Sequence, residues 1–232
     1  MCAYKPNIAF YEAHGDAGLE ALRETILGIH AIAPDIPVIL DAKRADIGNT
    51  NTGYADAAFG FLQADAITVH PYLGAEALQP FLARAEKGVI VLCRTSNPGA
   101  GEFQDLSTDM KVFSDDYLHH HPSLYERVAF NVSKFWNKNG NCGLVVGATY
   151  PDELRKVREI AGDMPILIPG IGAQGGDLEK TVSAGMDSRG WGMIINSSRG
   201  IIFASNGEDF AEAARRETVK LHDLINKYRN PW

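Results

Sequence analysis

The 232 residues are enough for one α/β barrel or two small domains, and an apolar content of 45% can bury a real core. A net charge of −7, from 22 Lys and Arg against 29 Asp and Glu, argues against a general nucleic-acid or acidic-membrane binder. It leaves room for an anionic small molecule, which needs only a local cationic pocket. No apolar stretch approaches the roughly 18 residues of a membrane span, and the N-terminus has no basic region followed by an apolar segment, so neither a span nor a secretory signal is expected. Cys2, Cys93 and Cys142 are odd in number and set in apolar runs, which predicts buried reduced thiols in a cytoplasmic protein.

Short apolar runs alternate with amphipathic stretches along the whole chain. Strands are predicted at 2–5, 38–41, 66–70, 89–93, 144–146, 166–168 and 193–196. Helices are predicted at 16–32, 51–63, 75–85, 124–137, 151–161, 178–184 and 208–228; in the first, Leu19, Leu22, Ile26 and Ile29 recur at spacings of three and four. No linker or composition break divides them, so 1–232 reads as a single domain. Repeated βα units imply a parallel sheet, and a sheet of nearly eight strands closes into a TIM (β/α)₈-type barrel. Seven βα units are present and Met1 directly precedes the first run, so the expectation is an N-terminally incomplete barrel whose first strand is missing. A doubly wound open sheet is the competing architecture.

Lys5 ends the first apolar run and is followed by Pro6 and Asn7. By itself it is a terminal surface charge. The next run leads into Asp41-Ala42-Lys43-Arg44-Ala45-Asp46-Ile47, two acids and a lysine within six residues. Continued as a strand, this segment would set Asp41 and Lys43 on one face, because strand side chains repeat every second residue. A lone motif of this kind is more often a solvated turn. His70-Pro71-Tyr72 ends the third run, with a packing role as plausible as a pocket role.

Arg94-Thr95-Ser96-Asn97-Pro98-Gly99 opens a long irregular segment whose hydroxyl and backbone groups could read a polar ring. Within it, His119-His120-His121 invites a metal, but no second ligand cluster has matching spacing, so a solvated loop is expected. Pro169-Gly170-Ile171-Gly172-Ala173-Gln174-Gly175-Gly176 follows a strand and precedes a helix, where glycine lets backbone N–H groups approach an anion. It is not a dinucleotide fingerprint. Asn196-Ser197-Ser198-Arg199-Gly200 follows the last strand, where barrels commonly bind phosphate, and Arg199 supplies a fork of donors.

Taken in order, these motifs make the chain resemble the orotidine 5'-phosphate decarboxylase family in its longer bacterial form, from Lys5 to Arg199. The resemblance rests on Ala3-Tyr4-Lys5-Pro6-Asn7, the motif from Asp41 to Ile47, Ser96-Asn97-Pro98-Gly99, the Gly-rich loop and Ser198-Arg199-Gly200. It implies decarboxylation of orotidine 5'-monophosphate to UMP in pyrimidine biosynthesis, with no metal or organic cofactor. By position, Lys43 would protonate C6 of the pyrimidine, with Lys5, Asp41 and Asp46 completing a charged network. In this family the second acid of the motif, the following isoleucine and a nearby threonine reach the neighbouring subunit's site. Asp46, Ile47 and Thr50 match, which implies a homodimer with shared active sites. Ser96 would contact the pyrimidine, and Gln174 and Arg199 the phosphate.

The family also carries an aspartate on its first strand that binds the ribose, and no residue here matches it; weak activity or poor stability of the 232-residue chain is the expected result. Two other functions fit parts of the pattern. One is a truncated, non-catalytic barrel that still binds a nucleotide phosphate. The other is a magnesium-dependent sugar-phosphate decarboxylase or aldolase of the same superfamily, although Lys5 stands where such enzymes carry a metal-binding acid.

Overall fold

The computed structural model describes residues 1–108, 121–172 and 175–229. Two compact units are distinguished: Met1–Leu92 with Asn131–Gly143, and Cys93–Phe130 with Leu144–Trp232.

In the first unit, β1 (Ile39–Arg44), β2 (Ala66–Val69) and β3 (Gly88–Arg94) run parallel in chain order, and the last two residues of β3 pass into the second unit. Ile39 lies opposite Ala66, and Ala66 opposite Gly88. All four residues of β2 are buried, as expected of a parallel strand covered on both faces. The helix Gly15–Ile32 buries Leu22 and Ile26, one turn apart, and the core continues through Val38, Leu40, Ile67, Leu78, Phe81 and Val89. At the start of β1, the Asp65 carboxylate accepts from Val38 N at 2.8 Å and pairs with His30 Nε2 at 2.9 Å.

The predicted strand at 2–5 is instead a pair of isolated parallel bridges, Tyr4 to Val38 and Asn7 to Asp41. Tyr4 N donates to Pro37 O, Ile39 N to Tyr4 O and Asp41 N to Pro6 O. The next rung would need an N–H at position 6, and Pro6 has none, so the ladder is cut there. The described residues therefore form six strands where seven were expected.

Helix boundaries differ for equally local reasons. The predicted 51–63 helix begins at Gly48 and continues from Asp56 to Phe61 as a π-helix. The predicted 75–85 helix is two single turns, Gly74–Ala77 and Gln79–Leu82, divided just before Pro80. The predicted 124–137 helix is α-helical over Leu124–Asn131 and π-helical over Val132–Trp136.

In the second unit, β4 (Cys142–Val146, whose first two residues belong to the first unit), β5 (Ile166–Pro169) and β6 (Met193–Asn196) are again parallel and in chain order. The helices Pro151–Ala161, Leu178–Gly185 and Phe210–Arg229 accompany them. Pro151 starts the first of these, where a missing N–H costs nothing. At the N-terminal side of this sheet the buried Arg158 guanidinium donates to the carbonyls of Gly162, Met164, Gly185 and Gly192 at 2.6–2.9 Å.

All three cysteines are free. Cys93 and Cys142 are buried as expected, whereas Cys2 is exposed. Burial pushes the Cys142 thiol up to about 11. No helix among the described residues is long and apolar enough to cross a membrane.

Candidate active site

The C-terminal end of β1 gathers three of the predicted residues. Lys5 Nζ lies 2.8 Å from Asp41 Oδ2, and Lys43 Nζ lies 2.6 Å from Asp41 Oδ1. The side chains of Lys5 and Asp41 are only 12% and 11% exposed, while that of Lys43 is 49% exposed. One ammonium group is thus fixed beneath the carboxylate and the other reaches solvent. Burial alone would push the Asp41 carboxyl up, but attraction to Lys5 and hydrogen bonds from Lys43 and Lys5 hold it below the ordinary value of 3.8.

Asp41 and Lys43 meet as expected, but not by strand periodicity. Leu40 pairs with Ile67 and Arg44 with Val69, so four residues of β1 span the length of two on β2. Within this bulge Lys43 takes a left-handed φ of 49°, a conformation that costs a non-glycine residue on the order of 1 kcal/mol. The amides of Ala42 and Lys43 leave the ladder and both donate to Thr68 Oγ1, at 3.0 and 2.9 Å. Thr68 Oγ1 in turn donates to Asp41 Oδ1 at 3.0 Å. Sequence reasoning missed Thr68 because a β-branched residue inside Ala66-Ile67-Thr68-Val69 reads as a strand former. A lone hydroxyl in an otherwise apolar run was the available signal.

Asp46 and Ile47 lie on the following turn, and Thr50 in the first turn of the helix that begins at Gly48. Ile47 N donates to Asp46 Oδ1 at 2.7 Å, and Thr50 N to Ile47 O at 3.2 Å. Asp46 is half-buried, whereas Ile47 is 61% exposed and Thr50 is exposed. The turn hangs on the buried Asn51, which accepts from Asp46 N at 2.8 Å and donates to Asp46 O at 2.6 Å and Ala77 O at 2.6 Å. Asn51 was read only as the start of a helix. Next to this turn, Arg44 pairs with Glu12 and lies over the Tyr54 ring at 5.4 Å.

The second unit holds the loops expected to meet a ring and a phosphate. Ser96 is half-buried after β3 and packs tightly on Gly147: a Cβ added at Gly147 would lie 2.6 Å from Ser96 Cβ. Thr149 Oγ1 donates to Ser96 O at 3.4 Å. Before it, the buried Arg94 guanidinium stacks on Tyr150 at 3.9 Å and pairs with Asp105. Thr95 N donates to Gln104 Oε1 at 2.8 Å. The Gly-rich loop turns through positive φ at Gly170 (108°), Gly172 (81°) and Gly175 (83°), and Gly176 N donates to Gly170 O at 3.2 Å. Gln174 lies outside the described residues, as do His119 and His120; His121 is exposed.

Asp177 caps the helix after the Gly-rich loop by accepting from Lys180 N at 3.1 Å. Arg199 is exposed at the first turn after β6, where Ser198 makes no side-chain cap. Among the described residues, no group of three or more His, Cys, Asp or Glu is arranged to hold a metal ion.

Residues 1–214 match the orotidine 5'-phosphate decarboxylase / HUMPS family. The chain belongs to that family. An orotidine 5'-phosphate decarboxylase of Ralstonia pickettii (strain 12J) is 52% identical over 230 residues, covering 99% of this chain and 80% of the relative. Leishmania donovani OMP decarboxylase superposes with a TM-score of 0.82 at 43% identity, covering 98% of this chain and 80% of that one. Leishmania donovani UMP synthase superposes with a TM-score of 0.84 at 45% identity over 98% of this chain, which spans 46% of that longer protein. The fold is accordingly the α/β, TIM-barrel-type fold of orotidine 5'-phosphate decarboxylases. The Lys5–Asp41–Lys43 cluster, the Ser96 loop and the Arg199 turn all fall within the part of the chain that matches the family.

Proposed function

We propose that this chain decarboxylates orotidine 5'-monophosphate to UMP and CO₂ in pyrimidine biosynthesis, as the names of its relatives suggest. The observation that carries the reading is a half-exposed ammonium, Lys43, held 2.6 Å from a buried carboxylate that Lys5 neutralises from beneath. In the proposed reaction the bond from C6 to the substrate carboxylate breaks and CO₂ departs. The electron pair left on C6 is stabilised by the Lys43 ammonium and then takes its proton, and solvent restores the lysine. Asp41 beside the substrate carboxylate would raise the energy of the bound substrate, a repulsion removed as CO₂ leaves. It also keeps Lys43 charged and aimed.

Ser96 is assigned to the pyrimidine, and Gln174 and Arg199 to the phosphate. Phosphate binding remote from C6 would supply binding energy that is used at the ring. The reading calls for no metal: a divalent cation placed against Asp41 would also face two ammonium groups. We further infer a cytoplasmic homodimer of single-domain chains in which Asp46, Ile47 and Thr50 complete the partner's site. An isoleucine 61% exposed beside an aspartate, on a turn pinned by a buried asparagine, is the arrangement such a role needs.

Loss of orotidylate absorbance, followed with and without EDTA, tests the reading. Equal turnover in both is expected, and Lys43→Ala should lower kcat on the order of 10³-fold while UMP still binds. Bound UMP without turnover in the unaltered protein would instead identify a non-catalytic barrel, and turnover abolished by EDTA would identify a metal-dependent one.

A further inference from the structure

We infer that Thr68 is a positioning residue for Lys43 and Asp41, its hydroxyl holding the bulge of β1 in the left-handed form that aims the lysine. A hydroxyl can accept two hydrogen bonds and donate one, and that capacity is used in full here. The two acceptances, from Ala42 N at 3.0 Å and Lys43 N at 2.9 Å, satisfy the backbone groups that the bulge removes from the ladder. The single donation goes to Asp41 Oδ1 at 3.0 Å, the same oxygen that Lys43 Nζ approaches at 2.6 Å.

One atom therefore joins the strained backbone of the lysine to the carboxylate that the lysine faces. Thr68 is 1% exposed, so water cannot take over these bonds. Without the hydroxyl, two buried N–H groups would lack acceptors, and the chain could recover them only by drawing Lys43 back toward regular strand dihedrals. An extended Lys43 would no longer have its present approach to Asp41. Thr68 touches neither the proposed reacting carbon nor the proposed proton; it acts through the two residues that do.

The inference rests on the decarboxylase reading for its kinetic consequences but not for its structural ones, and the experiment separates them. Thr68→Val keeps the shape and removes the hydroxyl; Thr68→Ser keeps the hydroxyl and removes a methyl group. Thr68→Val should lower kcat by roughly 10- to 100-fold with KM within about threefold, since an aimed ammonium acts on the transition state. Thr68→Ser should keep kcat within about threefold of the unaltered protein. A loss of tenfold or more in Thr68→Ser overturns the inference, even if Thr68→Val proves too unstable to purify. In crystals, Thr68→Val should show Lys43 out of the left-handed region and Thr68→Ser should show it retained. A Thr68→Val structure with Lys43 still at positive φ and still against Asp41 overturns the inference whether or not the chain turns over. Absence of turnover in the unaltered protein counts against the decarboxylase reading alone.

Discussion

Asp41 is charged in a place where burial opposes its charge, and the two lysines on its oxygens are the reason it stays so. Because its folded pKa lies below the ordinary 3.8, the pairing contributes stability that is fully present above that value. The contribution is lost as pH falls further, through the lower folded value. Urea melts should therefore show Asp41→Asn and the unaltered chain converging as pH drops below about 4, with their largest separation near neutrality. Removing the carboxylate altogether strands Lys5, which is nearly buried. Asp41→Ala should cost about 3 kcal/mol in urea unfolding at pH 7, with part of that recovered by adding Lys5→Met. Gly147 makes a different demand: it has no room for a side chain against Ser96. Gly147→Ala should displace Ser96 and raise KM more than it lowers kcat, a split that steady-state kinetics would show.

At the scale of elements, the turn after β1 depends on one side chain. Asn51 makes three hydrogen bonds from a fully buried position, two of them to Asp46. Asn51→Leu should cost about 2–3 kcal/mol by leaving those backbone groups unpaired, measurable by thermal or urea melting. The element pattern itself was legible because buried parallel strands are continuous apolar runs and helices such as Pro151–Ala161 keep a periodic apolar stripe. Interruptions were harder to foresee. Pro6 was visible as a residue, but its effect depends on which neighbour would have received its N–H. The bulge at Lys43 was not legible at all, because no glycine marks it; a threonine on another strand holds it open. Lys5, Asp41 and Lys43 were identifiable by type and order, while Thr68 and Asn51, which fix their surroundings, look in sequence like an ordinary strand residue and an ordinary helix start.

For the whole molecule, the residues of the proposed site are divided between the two units. The first unit carries Lys5, Asp41, Lys43 and Asp46, and the second carries Ser96, the Gly-rich loop and Arg199. The proposed dimer makes a quantitative test possible. Lys43→Ala and Asp46→Ala chains should each be inactive alone. Mixed in equal amounts and allowed to exchange, half the dimers are hybrid, and one of the two sites in each hybrid is intact. About a quarter of normal activity should return, read as orotidylate turnover; no recovery after demonstrated exchange would argue against shared sites.

The left-handed backbone of Lys43 also bears on how this protein can change over generations. At almost any other strand position alanine stabilises a chain relative to glycine, yet here Lys43→Gly should be the more stable of the two by about 1 kcal/mol in urea melts. Among replacements that remove the lysine side chain, selection for stability would thus favour glycine over alanine at the very residue on which turnover is proposed to depend. A lineage released from the need for its product should therefore, where it loses Lys43, retain glycine there more readily than alanine.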